Sequence, residues 1–310
     1  MGVALPQFGS NASPEAIARV ATEAERMGLA SVWVQERILL PTKPQDLYGG
    51  GPWPGTYATV YDPIETLTYA AAKTERIKLG TSVVVALFHA PVTLARRFAT
   101  LDRLSGGRVL AGLGQGWSRD EFETSNVPIK RRGRGFEEFI AAIRAVWGPD
   151  PVSFSGEFYR IPKSRIGPKP VQPNGPPVII GAYAPHAYER AAKIADGMMP
   201  VVGPWTKMED LRQTIDSFRD AVRAAGRSPE KMMVILRISP MISEKPVKEP
   251  RGLMAGSVEQ IANDLSKVGE IGVNHAFFDM NFARVPVEAQ LKFLGRLIRA
   301  DLNLRTSQSS

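Results

Sequence analysis

The stretch IKLGTSVVVALFHAPVTLARRFATLDRLSGGRVLAGLG, Ile77 to Gly114, decides the reading of the fold. It opens with an apolar, β-branched run of strand length, Ile77 to Val85. Leu94, Phe98 and Leu101 then recur at helical spacing, and Arg108 to Gly114 returns to a short apolar run. Neither run alternates apolar with polar residues, so neither has a wet face. Strands of that kind lie inside parallel sheets whose crossover helices cover both sides.

The rhythm continues in both directions. Toward the N-terminus, Val3 to Phe8 and Ser31 to Glu36 read as strands. Between them Ser13-Pro14 supplies a cap and a first-turn proline, Ile17, Val20, Ala24 and Met27 keep the helical period, and Gly28 ends it. Asp62-Pro63-Ile64-Glu65 has the pattern of a capping box. Toward the C-terminus, a helix carries Phe136, Phe139, Ile143 and Val146. Strands follow at Pro177–Gly181, Met198–Val202, Met232–Ile238 and Ala276–Met280. Their helices begin at Pro185, carry Leu211, Ile215, Phe218 and Val222, start from Ser257 with Gln260 at the third position, and carry Leu291, Leu294 and Ile298. The count is eight strand–helix pairs. That number favours α/β architecture as a closed (β/α)8 TIM barrel over an open doubly wound sheet. One domain is expected over residues 1–303, with a lid loop at 37–61 and a flexible C-terminal tail at 304–310.

Composition narrows the function classes. The 310 residues are 44% hydrophobic and 23% charged, as in ordinary globular chains. There is no cysteine, which removes disulfides, thiolate metal sites and thiol nucleophiles. Three histidines, His89, His186 and His275, are too few for a multi-histidine centre, so no metal is expected. No leader-like N-terminus and no uninterrupted apolar run of about 18 residues is present, so a cytoplasmic chain with no membrane contact is expected. The net charge is +8, but the densest basic cluster, Lys130, Arg131, Arg132 and Arg134, is followed at once by Glu137 and Glu138. Dispersed charge of this kind argues against nucleic acid and suits a small polyanionic ligand.

In α/β barrels the chemistry sits on loops at the carboxyl ends of the strands. Two such loops are long, Arg37 to Tyr61 and Gln115 to Arg132. The first carries Tyr48, Trp53 and Tyr57, an aromatic content that marks a lid or binding loop.

An ordered series of motifs then becomes recognisable. Leu79-Gly80-Thr81-Ser82-Val83 is followed by Ala90-Pro91-Val92-Thr93-Leu94-Ala95 and by Leu101-Asp102-Arg103-Leu104-Ser105-Gly106-Gly107-Arg108. Gly112-Leu113-Gly114-Gln115-Gly116-Trp117, Glu121-Phe122, Arg132-Gly133-Arg134, Pro168-Lys169-Pro170, Ile180-Gly181 and Ala195-Asp196-Gly197 continue it. The series resembles the luciferase-like monooxygenase superfamily, and most closely its branch dependent on the deazaflavin coenzyme F420. The resemblance implies a non-proline cis peptide at or beside Ser82-Val83, backing the cofactor ring. It implies cofactor contacts at Ser82, Val83, Gly114, Gln115, Gly116 and Trp117, and a cofactor phosphate on Gly181, Ala182 and Tyr183. The residues alone leave blander readings open: a plain buried strand at Thr81–Val85, an ordinary glycine-rich strand end, and a simple turn at Gly181.

Two departures from that branch matter. An acid followed by histidine often ends the second strand, whereas here Glu36 is followed by Arg37. The sugar-phosphate-oxidising members carry a glutamate where this chain has Gln115, and an amide is no proton carrier at neutral pH. Glu36 and His89 are the candidate catalytic residues, and Trp53 and Tyr57 the candidate substrate and lid residues. The expected activity is hydride transfer between C5 of F420 and a small organic substrate. The alternatives are an FMN-dependent monooxygenase fed by a separate reductase and a non-catalytic flavin-binding protein. A homodimer is the expected assembly.

Overall fold

Each barrel strand pairs in parallel with the next, and the last pairs with the first. The structure, a computed structural model, describes residues 1–182, 184–282 and 285–308, with 303–308 as backbone only. We label the barrel strands β1 (Gly2–Ala4), β2 (Ser31–Val34), β3 (Lys78–Thr81, resuming at Val84–Val85), β4 (Val109–Gly114), β5 (Val178–Gly181), β6 (Gly197–Met199 with Val201–Val202), β7 (Met233–Ile238) and β8 (His275–Phe278). The ring closes through Gly2 against Phe277 and through Met233 against Gly197. The barrel is thus an eight-stranded, all-parallel one, as the alternation implied.

The flanking helices are α1 (Pro14–Arg26), α2 (Pro63–Ala71), α3 (Pro91–Leu104), α4 (Arg134–Trp147), α5 (Pro185–Ile194), α6 (Met208–Ala224), α7 (Val258–Glu270) and α8 (Val287–Gln308). The last runs through 304–308 of the stretch expected as a tail, and residues 309–310 lie outside the described ones. No helix among the described residues is long and apolar enough to cross a membrane.

Alternation along the strands separates two cores. Ala4, Trp33, Ile179, Met199, Ile235 and Phe277 point into the barrel, where the Trp33 and Phe277 rings stack at 4.5 Å. Val3, Val32, Val34, Leu236 and Phe278 point outward and join the helices in a larger apolar layer. At the carboxyl-end mouth the inner core gives way to Gln7, Gln35, Ser82, Arg237, Asp279 and Asn281 around a cavity of about 10 Å³. The barrel is therefore plugged beneath its functional face.

Caps follow the sequence in two places and depart from it in one. Ser13 Oγ accepts from Ala16 N at 3.1 Å, and Ser257 with Gln260 forms a reciprocal capping box. Asp62 does not cap α2. Its carboxylate and that of Glu65 turn instead to Arg97 of α3, at 3.0 and 2.6 Å, a charged partner that outcompetes a backbone N–H. Among the elements beyond the eight units are a parallel pair of Met241–Ile242 with Ala255–Gly256 and a hairpin of Val152–Ser155 and Arg160–Ser164 between α4 and β5. Its turn is held by Glu138, which accepts from the N–H groups of Glu157, Phe158 and Tyr159.

Candidate active site

The register of β3 against β4 locates an irregularity at the carboxyl end of the barrel. Leu79 pairs with Val109 and Val84 with Leu113, so β3 takes five steps where β4 takes four. The extra residue is a bulge at Ser82-Val83, and that peptide bond is cis. Three hydrogen bonds fix the bulge. Ser82 N donates to Val34 O at 2.6 Å, Glu36 N donates to Val83 O at 3.1 Å, and Arg237 Nη1 donates to Ser82 O at 3.2 Å.

The glycines of β4 explain how the bulge fits. A Cβ on Gly112 would stand 1.6 Å from Thr81 O, and one on Gly114 would stand 2.6 Å from Val83 Cγ2. Only glycine lets β3 lean across β4 in this way. Gly181, on the far side, leaves an ordinary gap, since its Cβ would sit 3.6 Å from Val83 Cγ1. The Val83 side chain thus lies between the glycine ends of β4 and β5. Ala182 is buried beside it, whereas Tyr183 lies outside the described residues. Gly116 has φ +77° and packs close to Val85 and Phe122. Gln115 Oε1 accepts from Gly133 N at 3.0 Å, which spends the amide on the entry to α4. Among the described residues no side chain caps the start of α5. Gly133 lies within 3.8 Å of Arg190 of α5 if a Cβ is placed on it, so the rim from Gln115 to α5 is continuous.

The two candidate catalytic residues meet. Glu36, at the end of β2, accepts from Val85 N at 2.6 Å through one oxygen and lies 2.8 Å from His89 Nε2 through the other. With the carboxylate ionised, Nε2 donates to it, and in the neutral ring Nδ1 is left as an acceptor. His89 is partly exposed and Glu36 is buried.

Above the mouth, loops after β1, β2, β4 and β8 pack an aromatic cluster of Phe8, Tyr48, Trp53, Tyr57, Trp117 and Phe282. The Tyr57 hydroxyl lies 3.0 Å from that of Tyr48 and accepts from Gln35 Nε2 at 3.3 Å. Burial pushes this phenol well above its ordinary range, so it stays protonated. The guanidinium of Arg37 stands over the rings of Trp53, Tyr57 and Trp117 at 5.3, 5.4 and 5.1 Å. It pairs with Glu121, of the short helix Arg119–Thr124, at 2.6 Å. Burial raises the Glu121 carboxyl, while Arg37 and the Ile38 N–H hold it down. The loop at 37–61 is fastened further by Arg119 to Asp46 at 2.8 Å and by Gln45 N to Asp120 at 3.0 Å. The two long loops form one roof.

With bulge, glycine edges and roof at the carboxyl end of one barrel, comparison with known proteins becomes decisive. The profile described as luciferase-like monooxygenase matches residues 2–249. The chain belongs to the luciferase-like monooxygenase family. Members of this family are oxidoreductases, and this protein is one. It is 32% identical over 272 residues to an uncharacterized protein of Mycobacterium tuberculosis, covering 86% of this chain and 87% of that one. It is 32% identical over 229 residues to an F420-dependent glucose-6-phosphate dehydrogenase of Amycolatopsis mediterranei, covering 73% of this chain and 62% of that one. Among solved structures it resembles the monooxygenase RslO1 of Streptomyces bottropensis, with a TM-score of 0.79 and 21% identity, covering 98% and 99% of the two chains.

Within this luciferase-like site, sequence reading missed Arg237 and Asp279 and gave Glu121 no role. Arg237 had one signal, a lone charge inside the apolar run Met232–Ile238. Glu121 stands in the motif series, but its pairing with Arg37, 84 residues away, left no mark in the sequence.

Proposed function

We propose that this protein is a deazaflavin oxidoreductase that uses coenzyme F420 to pass hydride between cofactor C5 and a small organic substrate. The observation that carries the proposal is the Ser82-Val83 bulge, held between Gly114 and Gly181 and lying under an aromatic roof. A planar ring suits that place, because Val83 and Gly181 are partly exposed there and neither glycine adds a side chain beside Val83. Ser82, Val83, Gly114, Gln115, Gly116 and Trp117 would line the ring, and Gly181, Ala182 and the uncapped start of α5 would take the phosphate. The similarity to an F420-dependent relative supports the choice of cofactor, and the +8 charge suits a ligand with several carboxylates.

Bound F420 would supply the hydride chemistry, and the protein's own residues would position the substrate and handle the proton. Glu36 orients His89 and fixes its tautomer, and His89 is the proposed proton carrier. Residues 37–61 act as the lid, with Trp53 and Tyr57 facing the substrate. The amide of Gln115, bonded to Gly133 N, speaks against glucose 6-phosphate as substrate. A homodimer belongs to the same proposal and is checked by sedimentation.

The test is a fluorescence titration with F420 and with FMN at two salt concentrations. F420 should bind more tightly and weaken as salt rises, since charge attraction is screened over about 8 Å at physiological ionic strength. If FMN binds more tightly at both concentrations, the FMN-dependent monooxygenase reading, with its separate reductase, replaces this one.

A further inference from the structure

We propose that Arg37 is the anchor for a carbonyl oxygen on the substrate, and that the substrate is a planar, largely apolar ketone or aldehyde. The inference rests on the oxidoreductase reading above. Its ground is the way Arg37 is held. A guanidinium has five N–H donors in one plane. Among the described residues the hydrogen bond that Arg37 makes is the one from Nη1 to Glu121. Trp53, Tyr57 and Trp117 lie within 5.4 Å of the guanidinium carbon, close enough for their π faces to attract its charge. π faces are poor substitutes for hydrogen-bond acceptors, so Nη2 and Nε keep donors to offer. The side chain is 12% exposed and Trp117 is half-buried, so both border open space, whereas Trp53 and Tyr57 are buried.

Charge decides which acceptor fits. Glu121 is 1% exposed and already neutralises Arg37. A carboxylate would add a third, uncompensated charge to a dry cluster, whereas a carbonyl oxygen adds none. An apolar body can lie against Trp117 while its oxygen meets Arg37. The position also suits reduction of a conjugated ketone. Bound reduced F420 would supply hydride to the far carbon of the C=C bond, and the π electrons would move onto the oxygen. Arg37 would stabilise that charge, and a proton carried by His89 would complete the saturated ketone.

The experiment measures affinities by equilibrium dialysis, on the protein alone and with oxidised F420 added. The probes are benzylideneacetone, the hydrocarbon propenylbenzene and cinnamate, which share one planar body. Benzylideneacetone should bind about tenfold more tightly than propenylbenzene, the effect of a hydrogen bond to a charged donor, and more tightly than cinnamate. Arg37→Met should bring the ketone to the level of the hydrocarbon and leave the hydrocarbon within about twofold. Because that variant strands Glu121, Glu121→Gln is the second arm. It keeps Arg37 and removes the balancing charge, so cinnamate should gain at least about tenfold. Equal binding of ketone and hydrocarbon by the unaltered protein overturns the proposal, as does a ketone preference that survives Arg37→Met. A Glu121→Gln variant with no gain for cinnamate overturns it too. F420 affinity, read in the same preparations, shows separately whether the cofactor reading fails.

Discussion

Arg237 Nη1 donates to the main-chain oxygen of Ser82 at 3.2 Å, while its Nη2 and Nε are held by Asp279 at 2.5 and 3.0 Å. Asp279 is 3% exposed and also accepts from Asn281, so a side chain at the end of β8 aims one at the end of β7 onto the bulge of β3. Arg237→Met should destabilise the fold by about 3–5 kcal/mol in urea unfolding, since it leaves a buried carboxylate unpaired. Adding Asp279→Asn should recover most of that stability. The double variant should still bind cofactor about tenfold more weakly, because Ser82 O has lost its donor. A double variant with unaltered cofactor affinity shows that Arg237 serves stability alone.

Glu36 and His89 are proposed to act on one proton, so their substitutions should not add. Glu36→Gln keeps the shape but gives up the charge that fixes His89 Nε2. We expect turnover to fall by about 10- to 100-fold, within the range of proton-transfer effects, with cofactor affinity within about threefold. His89→Gln should do the same, and the double variant should be no slower than the worse single one. Multiplicative losses in steady-state kinetics would separate the two residues functionally.

These residues also mark what the sequence discloses. The strand–helix period is a local property, and it placed all eight units. Capping patterns are local too, yet Ser257-Gln260 forms a box and Asp62-Glu65 does not, because Arg97 arrives from another helix. The hairpin at Val152–Ser164 escaped because its strands are short and half polar. At the site, the bulge and the pairing of Glu36 with His89 join residues already singled out. The Arg37 cage draws Trp53, Tyr57, Trp117 and Glu121 from two loops, and no periodicity records a contact across such separations.

At the opposite end of the barrel, His275 Nε2 lies 2.6 Å from Ser31 Oγ, which also accepts from Trp33 Nε1 at 2.6 Å. Burial, with the N-terminal amine adding repulsion, lowers the His275 pKa to about 4. The folded protein therefore prefers the neutral ring, and the unfolded chain binds more protons below about pH 6.5. Stability is unaffected by this group above that pH and is lost as pH falls toward 4, by at most about 3 kcal/mol. His275→Gln should flatten the slope of unfolding free energy between pH 6.5 and 4. An unchanged slope would move the acid sensitivity to other groups.

Three glycines along one line should respond in opposite ways. At Gly112 and Gly114 an added methyl would meet Thr81 O at 1.6 Å and Val83 Cγ2 at 2.6 Å, so both alanine variants should lose stability or fail to fold. At Gly181 the nearest atom is Val83 Cγ1 at 3.6 Å, an ordinary contact, and φ is not in the left-handed region. Gly181→Ala should therefore fold as well as the unaltered protein or slightly better, since alanine reduces the freedom of the unfolded chain by about 0.4–1 kcal/mol. Its Cβ nonetheless stands where the cofactor is proposed to pass. Cofactor affinity should drop by tenfold or more while thermal unfolding stays at or above its usual temperature. A Gly181→Ala protein that binds F420 normally would remove β5 from the cofactor site and send the phosphate elsewhere on the rim.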